Sequence, residues 1–330
     1  MRKRVYFFYN DRNSLRVDHS QNSVGKEIVV KALASRIVFI LALLGIAATT
    51  NAATLTIGRV SNEPEKIHRQ LKPMLDYMVN KLQDVGITDG AIRIAKDHEE
   101  MVTYLKQGKV DWVQKGVFEA LIYSRDAGAE IALRSWREGV PNYYSVIFAR
   151  KDGSVRSLAD LVGRKIAFQD KGSTSAFFVP SAVLRKAGFE LTELATPREK
   201  PPVGKIGYVF AGKELTITTW VHRELADAGA YHNQNWSKPT DNPEKMKKDL
   251  TIIYQGKPMP RMIELLRKDL DPQIKARIKS ILLRAHEDPA AVEALKAYGP
   301  ETAKFDEFKG KIKEELTEAM SLAKYMSHIE

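Results

Sequence analysis

The sequence predicts an α/β protein of two lobes, each a mainly parallel sheet flanked by helices, with a ligand cleft between them. Three observations lead there. Short apolar runs alternate with amphipathic helices through the first half of the chain, the pattern of parallel sheets. A strand, a glycine turn and a hydroxyl-rich helix start follow one another in Lys165–Phe189, KIAFQDKGSTSAFFVPSAVLRKAGF. The chain has 330 residues and 44% hydrophobic content, enough for one large or two modest domains.

The alternation begins only after residue 52. Before it, a run of 12 apolar or small residues, Ile37–Ala48, follows Lys31 and Arg36. A spanning helix needs about 20. Small residues at Thr50 and Ala52 come next, so the segment reads as a secretory signal cleaved after Ala52. The polar leader Met1–Arg36 is long for such a signal, and a retained signal-anchor is the alternative. There is no cysteine, which excludes disulfides, thiol chemistry, cysteine metal sites and a lipidated cysteine.

Thr54–Val60 alternates apolar and polar residues and predicts a strand. Pro64–Leu82 carries Ile67, Leu71, Met74, Leu75, Met78 and Leu82 at helical spacing. Strand Ala91–Ala95, helix Glu99–Gln107, strand Val110–Val113 and helix Val117–Tyr123 follow. In such sheets ligands sit beyond the carboxyl ends of the strands, here Ser61–Glu63, Lys96–His98 and Gln114–Gly116. Tyr143–Arg150 is a longer strand at the first crossing between lobes. Helix Leu158–Leu161 and strand Lys165–Phe168 open the second lobe. Loop Glu193–Val203, strand Ile206–Phe210 and helix Leu215–Asp227 continue it, and strand Leu250–Tyr254 returns to the first. From Met262 onward the chain reads as mostly helical, with Pro272–His286, Pro289–Ala297 and Phe305–Ser327 bracing the first lobe. The division is 1–52 leader and signal, 53–148 plus 250–330 lobe 1, and 149–249 lobe 2.

Within the second lobe, Gly172 permits a tight turn. Ser173, Thr174 and Ser175 then bring three hydroxyls and free backbone N–H groups to one helix N-terminus. The helix dipole adds about half a positive charge there, which makes an anion site. Plain N-capping needs only one of the three hydroxyls.

At this point the residues carry a resemblance. GSTSAFFVPSAVL is similar to the STSG-x-x-x-P signature of the phosphonate/phosphate/phosphite substrate-binding proteins of ABC importers, with Ala176 where that family usually has Gly. GRVSNEPEKI, KVDWVQKG, NYYSVIFARKD, SLADLVGRKIAF, ADAGAYHNQN and KPMPRMIELLRKDL fall in the family's order. The resemblance implies a two-lobed periplasmic binding protein and no enzyme. It would bind a phosphorus oxyanion, deliver it to an ABC-transporter permease, use no cofactor and act as a monomer.

The resemblance also marks residues beside Ser173–Ser175. Tyr143 matches the family's contact tyrosine, and Tyr144 then faces the core. His98 either donates to the anion or sits in a loop capped by Asp97. Lys115 and Gln114 lie where the family shows an aromatic and a small residue. Lys115 pointing inward would neutralise a dianion; otherwise it is an exposed lysine. Lys213 replaces a family histidine. Asp227, Tyr231 and Asn233 match D-x-G-A-x-x-N, with Tyr231 the proposed contact and Asp227 a structural cap. Met262 stands where relatives that bind aminoalkyl phosphonates tend to have an acid. It implies phosphate, phosphite or an apolar phosphonate rather than 2-aminoethylphosphonate, unless Glu264 takes that place.

Other classes fit less well. The net charge of +11 comes from 52 basic and 41 acidic residues without a dense block, which argues against nucleic acid. Residues 1–52 carry 8 basic and 3 acidic residues, leaving 44 and 38, a mild excess that steers anions. The seven histidines show no HExxH spacing, and neither a nucleophile elbow nor a P-loop occurs. The alternative function is an exported anion-sensing module that signals to a membrane sensor kinase.

Overall fold

The computed structural model describes residues 53–299 and 301–326. The leader, signal and cleavage site expected before Ala53 lie outside them.

The first lobe opens with β1 (Ala53–Val60), α1 (Pro64–Lys81), β2 (Ile87–Ala95), α2 (His98–Lys106), β3 (Trp112–Lys115), α3 (Val117–Ala127) and β4 (Glu130–Arg137). A two-residue strand, β5 (Asn142–Tyr143), leads out of it. The second lobe holds β6 (Ser145–Arg150), β7 (Lys165–Phe168), a π-helical turn Thr174–Phe178 running into α4 (Val179–Lys186), β8 (Leu191–Glu193), β9 (Ile206–Phe210) and α5 (Glu214–His222). It closes with β10 (Ala228–His232), α6 (Asn233–Ser237), α7 (Glu244–Lys247) and β11 (Leu250–Gln255). The return strand β12 (Met259–Pro260) then leads to β13 (Met262–Leu266), α8 (Pro272–Arg284), α9 (Val292–Ala297), β14 (Thr302–Asp306) and α10 (Lys311–Ala323) of the first lobe.

Each lobe is one six-stranded sheet, ordered β14-β4-β13-β3-β1-β2 and β11-β6-β10-β7-β9-β8. β1 runs parallel to β2 and β3, and β7 runs parallel to β9 and β10. The strand that follows each crossing, β6 or β13, lies antiparallel to both its neighbours. That arrangement turns the N-terminal ends of β6, β13 and the edge strand β14 toward the same edge as the carboxyl ends of the others.

The crossings differ from expectation. β6 and β11 both bond within the second sheet, so the chain leaves lobe 1 at Asn142–Tyr143 and returns at Met259–Pro260. The physical reason lies in SVIFA, where all five residues are buried. Val146 and Phe148 face one helix layer, Ile147 and Ala149 the other. An apolar run without alternation fits any doubly covered sheet; only its partners decide which. The hinge is the short β5–β12 ladder. Asn142 is held there by Arg134 at 2.7 Å and Glu315 at 2.6 Å.

Six strands escaped the sequence reading, two of them, β8 and β12, only three and two residues long. β10, β13 and β14 carry glycine, a buried glutamate or lysine within short runs, and β4 carries Arg134 and Ser135 buried. The residues 215–227, expected as one helix, end at His222 because Glu224 takes a left-handed φ of 62°.

Candidate functional site

Ser173 caps the hydroxyl-rich helix start, its side chain accepting from Ala176 N at 3.3 Å. The first turn is wider than α-helical: Phe178 N bonds to Ser173 O at 3.0 Å, five residues back. Such π turns recur at functional sites. The early N–H groups of the turn have no carbonyl one turn behind them. Thr174 and Ser175 are buried at the lobe junction, and Ser145 Oγ anchors Ser175 O at 2.6 Å. Below them Phe177 packs on Phe168, Tyr208 and Phe210, which fixes the turn on the sheet.

Lobe 1 meets this turn directly. Thr174 donates its hydroxyl to Glu119 Oε2 at 3.2 Å, and Phe118 stacks on Phe178 with centroids 5.7 Å apart. Gly116 makes the approach possible: a Cβ there would lie 2.7 Å from Thr174 Oγ1 and 2.9 Å from Glu119 Oε2. Lys115 stands 3.6 Å from the other Glu119 oxygen and is mostly buried. Tyr143, 6% exposed, lies beside Thr174, and its ring meets His232 edge-on at 5.6 Å. Burial pushes the Tyr143 phenol far up, so it stays a neutral donor.

His98 bonds Tyr123 OH through Nδ1 at 2.8 Å, while Asp97 caps α2 by accepting from Glu100 N at 2.8 Å. The capping half of the His98–Asp97 alternative is therefore present, and the His98 ring is held by Tyr123. Burial first, then the Lys115 charge, lowers the His98 pKa and favours the neutral ring.

The remaining expected residues divide. Gln114 is buried, with its amide nitrogen on Glu264 at 2.9 Å and Ser135 at 3.1 Å, and its oxygen facing Arg59 at 3.4 Å. Its donors point into the core rather than the cleft. Lys213 is the exposed N-cap residue just before α5, beyond β9. Tyr231 is fully buried against Phe148, with its hydroxyl 3.3 Å from Thr218. Odd and even residues of β10 face opposite helix layers, and Tyr231 lies in the one shared with Val146 and Phe148. Asp227 accepts from Lys165 N at 2.9 Å at the far end of β7, as a structural cap. Asn233 closes on the backbone of Tyr144. Met262 is half-buried opposite Ser135. Glu264 is wholly buried, holding Trp112 at 2.7 Å and Tyr298 at 2.8 Å, and burial raises its pKa.

Sequence reasoning missed Glu119, His232, Arg59, Arg137 and Arg261. Arg59 was within reach, since it is the penultimate residue of the first predicted strand. Glu119 was hidden inside an amphipathic helix, where an acid ordinarily faces water.

Two α/β lobes on a two-strand hinge, with their strand ends turned to one cleft, define a two-lobed solute-binding architecture. The chain belongs to the family described as ABC transporter, phosphonate, periplasmic substrate-binding protein, which matches residues 60–310. It is 26% identical over 252 residues to the phosphonates-binding periplasmic protein of Escherichia coli, covering 74% of this chain and 70% of that one. Similarity to the phosphate-import protein PhnD of Mycolicibacterium smegmatis is 29% over 140 residues, 41% of this chain and 42% of that protein. The solved structure of XAC2383 from Xanthomonas citri bound to ATP superposes with a TM-score of 0.77 at 32% identity, covering 84% of this chain and all of that one. The family binds substrates rather than transforming them, and its place is the periplasm.

Proposed function

We propose that this protein is exported through a cleaved signal, binds a phosphorus oxyanion between its lobes as a monomer, and delivers it to the permease of an ABC importer. The observation that carries the reading is the convergence of Ser173–Ser175 and Tyr143 at the junction, where hydroxyl donors and helix N–H groups from both sides of the hinge meet. The E. coli relative is named for phosphonates, the M. smegmatis one for phosphate, and XAC2383 is recorded with ATP. Their shared chemistry is a tetrahedral phosphorus group. His98 and Lys115 flank Thr174 from lobe 1 through Tyr123 and Glu119, and join the proposed contacts. Gln114 orients Arg59. Tyr231 turns its hydroxyl to Thr218 and Lys213 is exposed at the start of α5, so neither is counted in this convergence.

The preference against an ammonium now rests on a different pair from the one expected. The acid beside Thr174 is Glu119, and Lys115 already neutralises it. An ammonium would compete with Lys115 for that carboxylate, and one buried without a counter-charge costs several kcal/mol. Phosphate, phosphite or methylphosphonate should therefore bind about tenfold more tightly than 2-aminoethylphosphonate, a gap of about 1.4 kcal/mol. Thermal shift across that panel, followed by calorimetry on the best two, tests both the class and the choice. A protein that binds none of them would sink the reading.

A further inference from the structure

Arg59 is the penultimate residue of β1, beside Gln114 of β3. Its Nη1 faces Gln114 and its guanidinium carbon lies 5.8 Å from the Tyr298 ring centre. Its Nε and Nη2 are closed off from solvent and have no hydrogen-bond partner among the described residues. Arg137 ends β4 at the same edge, where Glu138 and Gly139 turn the chain with φ of 52° and 71°. Its Nε is likewise buried and unpartnered. Arg261, 5% exposed, braces the turn by donating to Arg137 O at 3.2 Å and pairing with Glu138 at 2.9 Å. Its guanidinium lies 5.9 Å from the Tyr143 ring centre.

Unsatisfied guanidinium N–H groups are expensive, and a fold does not gather them at one strand edge without a partner for them. Glu138 is already paired with Arg261, and Glu264 is turned to Trp112, Tyr298 and Gln114. Neither offers an oxygen to Arg59 or Arg137. Across the hinge His232 accepts from Asn235 N and brings no negative charge to offset theirs. What fits donors in a planar fork is a phosphoryl group. Tyr143 lies between the two groups, beside Thr174 and with its ring 5.9 Å from the Arg261 guanidinium.

We propose that Arg59 and Arg137 form a second anion subsite beside Ser173–Ser175, so that the favoured ligand carries two linked phosphoryl groups, as in a diphosphate. This rests on the hydroxyl stretch holding the first group. It extends the single-phosphorus reading to a class of larger ligands and assigns Arg261 the role of positioning Arg137.

The test is calorimetry with pyrophosphate, methylenediphosphonate, phosphate and methylphosphonate at one fixed ionic strength. Wild type should bind the two-phosphorus anions at least about tenfold more tightly than the one-phosphorus anions. Arg59→Gln and Arg137→Gln should each remove about tenfold for pyrophosphate and change methylphosphonate less than about threefold. Arg→Lys versions, which keep the charge and lose the fork, should fall between. If methylphosphonate binds and pyrophosphate is no tighter, the second subsite is overturned and the hydroxyl site stands. Binding of neither class overturns both. The wild-type ratio decides the matter even where a variant fails to fold.

Discussion

Thr174 of the second lobe gives its hydroxyl to Glu119 of the first across 3.2 Å, in a contact that leaves no room for a methyl group on Gly116. The pair joins the lobes at the helix start proposed to hold the ligand. Any anion entering there has to take the Thr174 hydroxyl from the carboxylate. Binding and lobe closure are thus one equilibrium, and a ligand shifts it only by its differential affinity for the two arrangements.

Replacing Gly116 with Ala should therefore hold the lobes apart. The added Cβ meets a short, fixed Thr174 side chain rather than the tip of a long one. Small-angle scattering should show less compaction at saturating ligand than in wild type. Affinity should fall by about tenfold, or about 1.4 kcal/mol. A variant as compact and as tight as the parent would show that this contact does not govern closure.

The hydroxyl series should separate two roles. Thr174→Ala and Ser175→Ala should lose about 1.5–3 kcal/mol of binding, roughly 10- to 150-fold, with Thr174→Ser milder than Ala. Ser173→Ala should in addition lower thermal stability by about 1 kcal/mol, because Ser173 is the cap that accepts from Ala176 N. Calorimetry and melting curves on the same proteins distinguish the two. Unchanged affinity throughout the series would move the site elsewhere.

Lys115→Met keeps the apolar stem and removes the charge that neutralises Glu119. The freed carboxylate should welcome an ammonium and repel a bare dianion. The affinity ratio of 2-aminoethylphosphonate to methylphosphonate should rise by about tenfold. A constant ratio in competition experiments would mean that Glu119 does not face the fourth substituent.

His232 sets a pH dependence. Burial first, then Arg261 and Arg137, depresses its pKa from 6.5 to about 3. Between those values the unfolded chain binds a proton that the folded one refuses. Stability should fall as pH drops through that window, with a slope of up to about 1.4 kcal/mol per pH unit, and should not change above it on this account. His232→Asn keeps an acceptor for Asn235 N and should flatten that part of the curve. Parallel wild-type and variant urea titrations between pH 7 and 4 check this, and identical slopes would count against it.

Much of this could be read before any coordinates. Lys165–Phe168, Gly172 and Ser173–Ser175 announced a strand, a turn and a helix start, because each depends on local chemistry. The π-helical first turn did not show, since Phe177 packing against Phe168 and Phe210 widens it from outside. The strand MIELL looked helical because Glu264 interrupts its apolar run; the partners that satisfy the carboxylate, Trp112 and Tyr298, lie far away in sequence.

The sequence by itself determined the α/β class, the order of the main elements and the stretch that presents hydroxyls at a helix start. These follow from periodicity, backbone preference and capping, which act over a few residues. Tertiary structure alone decided which sheet β6 and β11 join, that Tyr231 faces a core while Tyr143 lies beside Thr174, that Glu119 meets Thr174, and that Arg59 and Arg137 come to the same edge of the first sheet. Those outcomes depend on strand pairing and on contacts such as Thr174–Glu119, 55 residues apart in the chain. Such contacts form only when two lobes close on each other, and no local pattern encodes them.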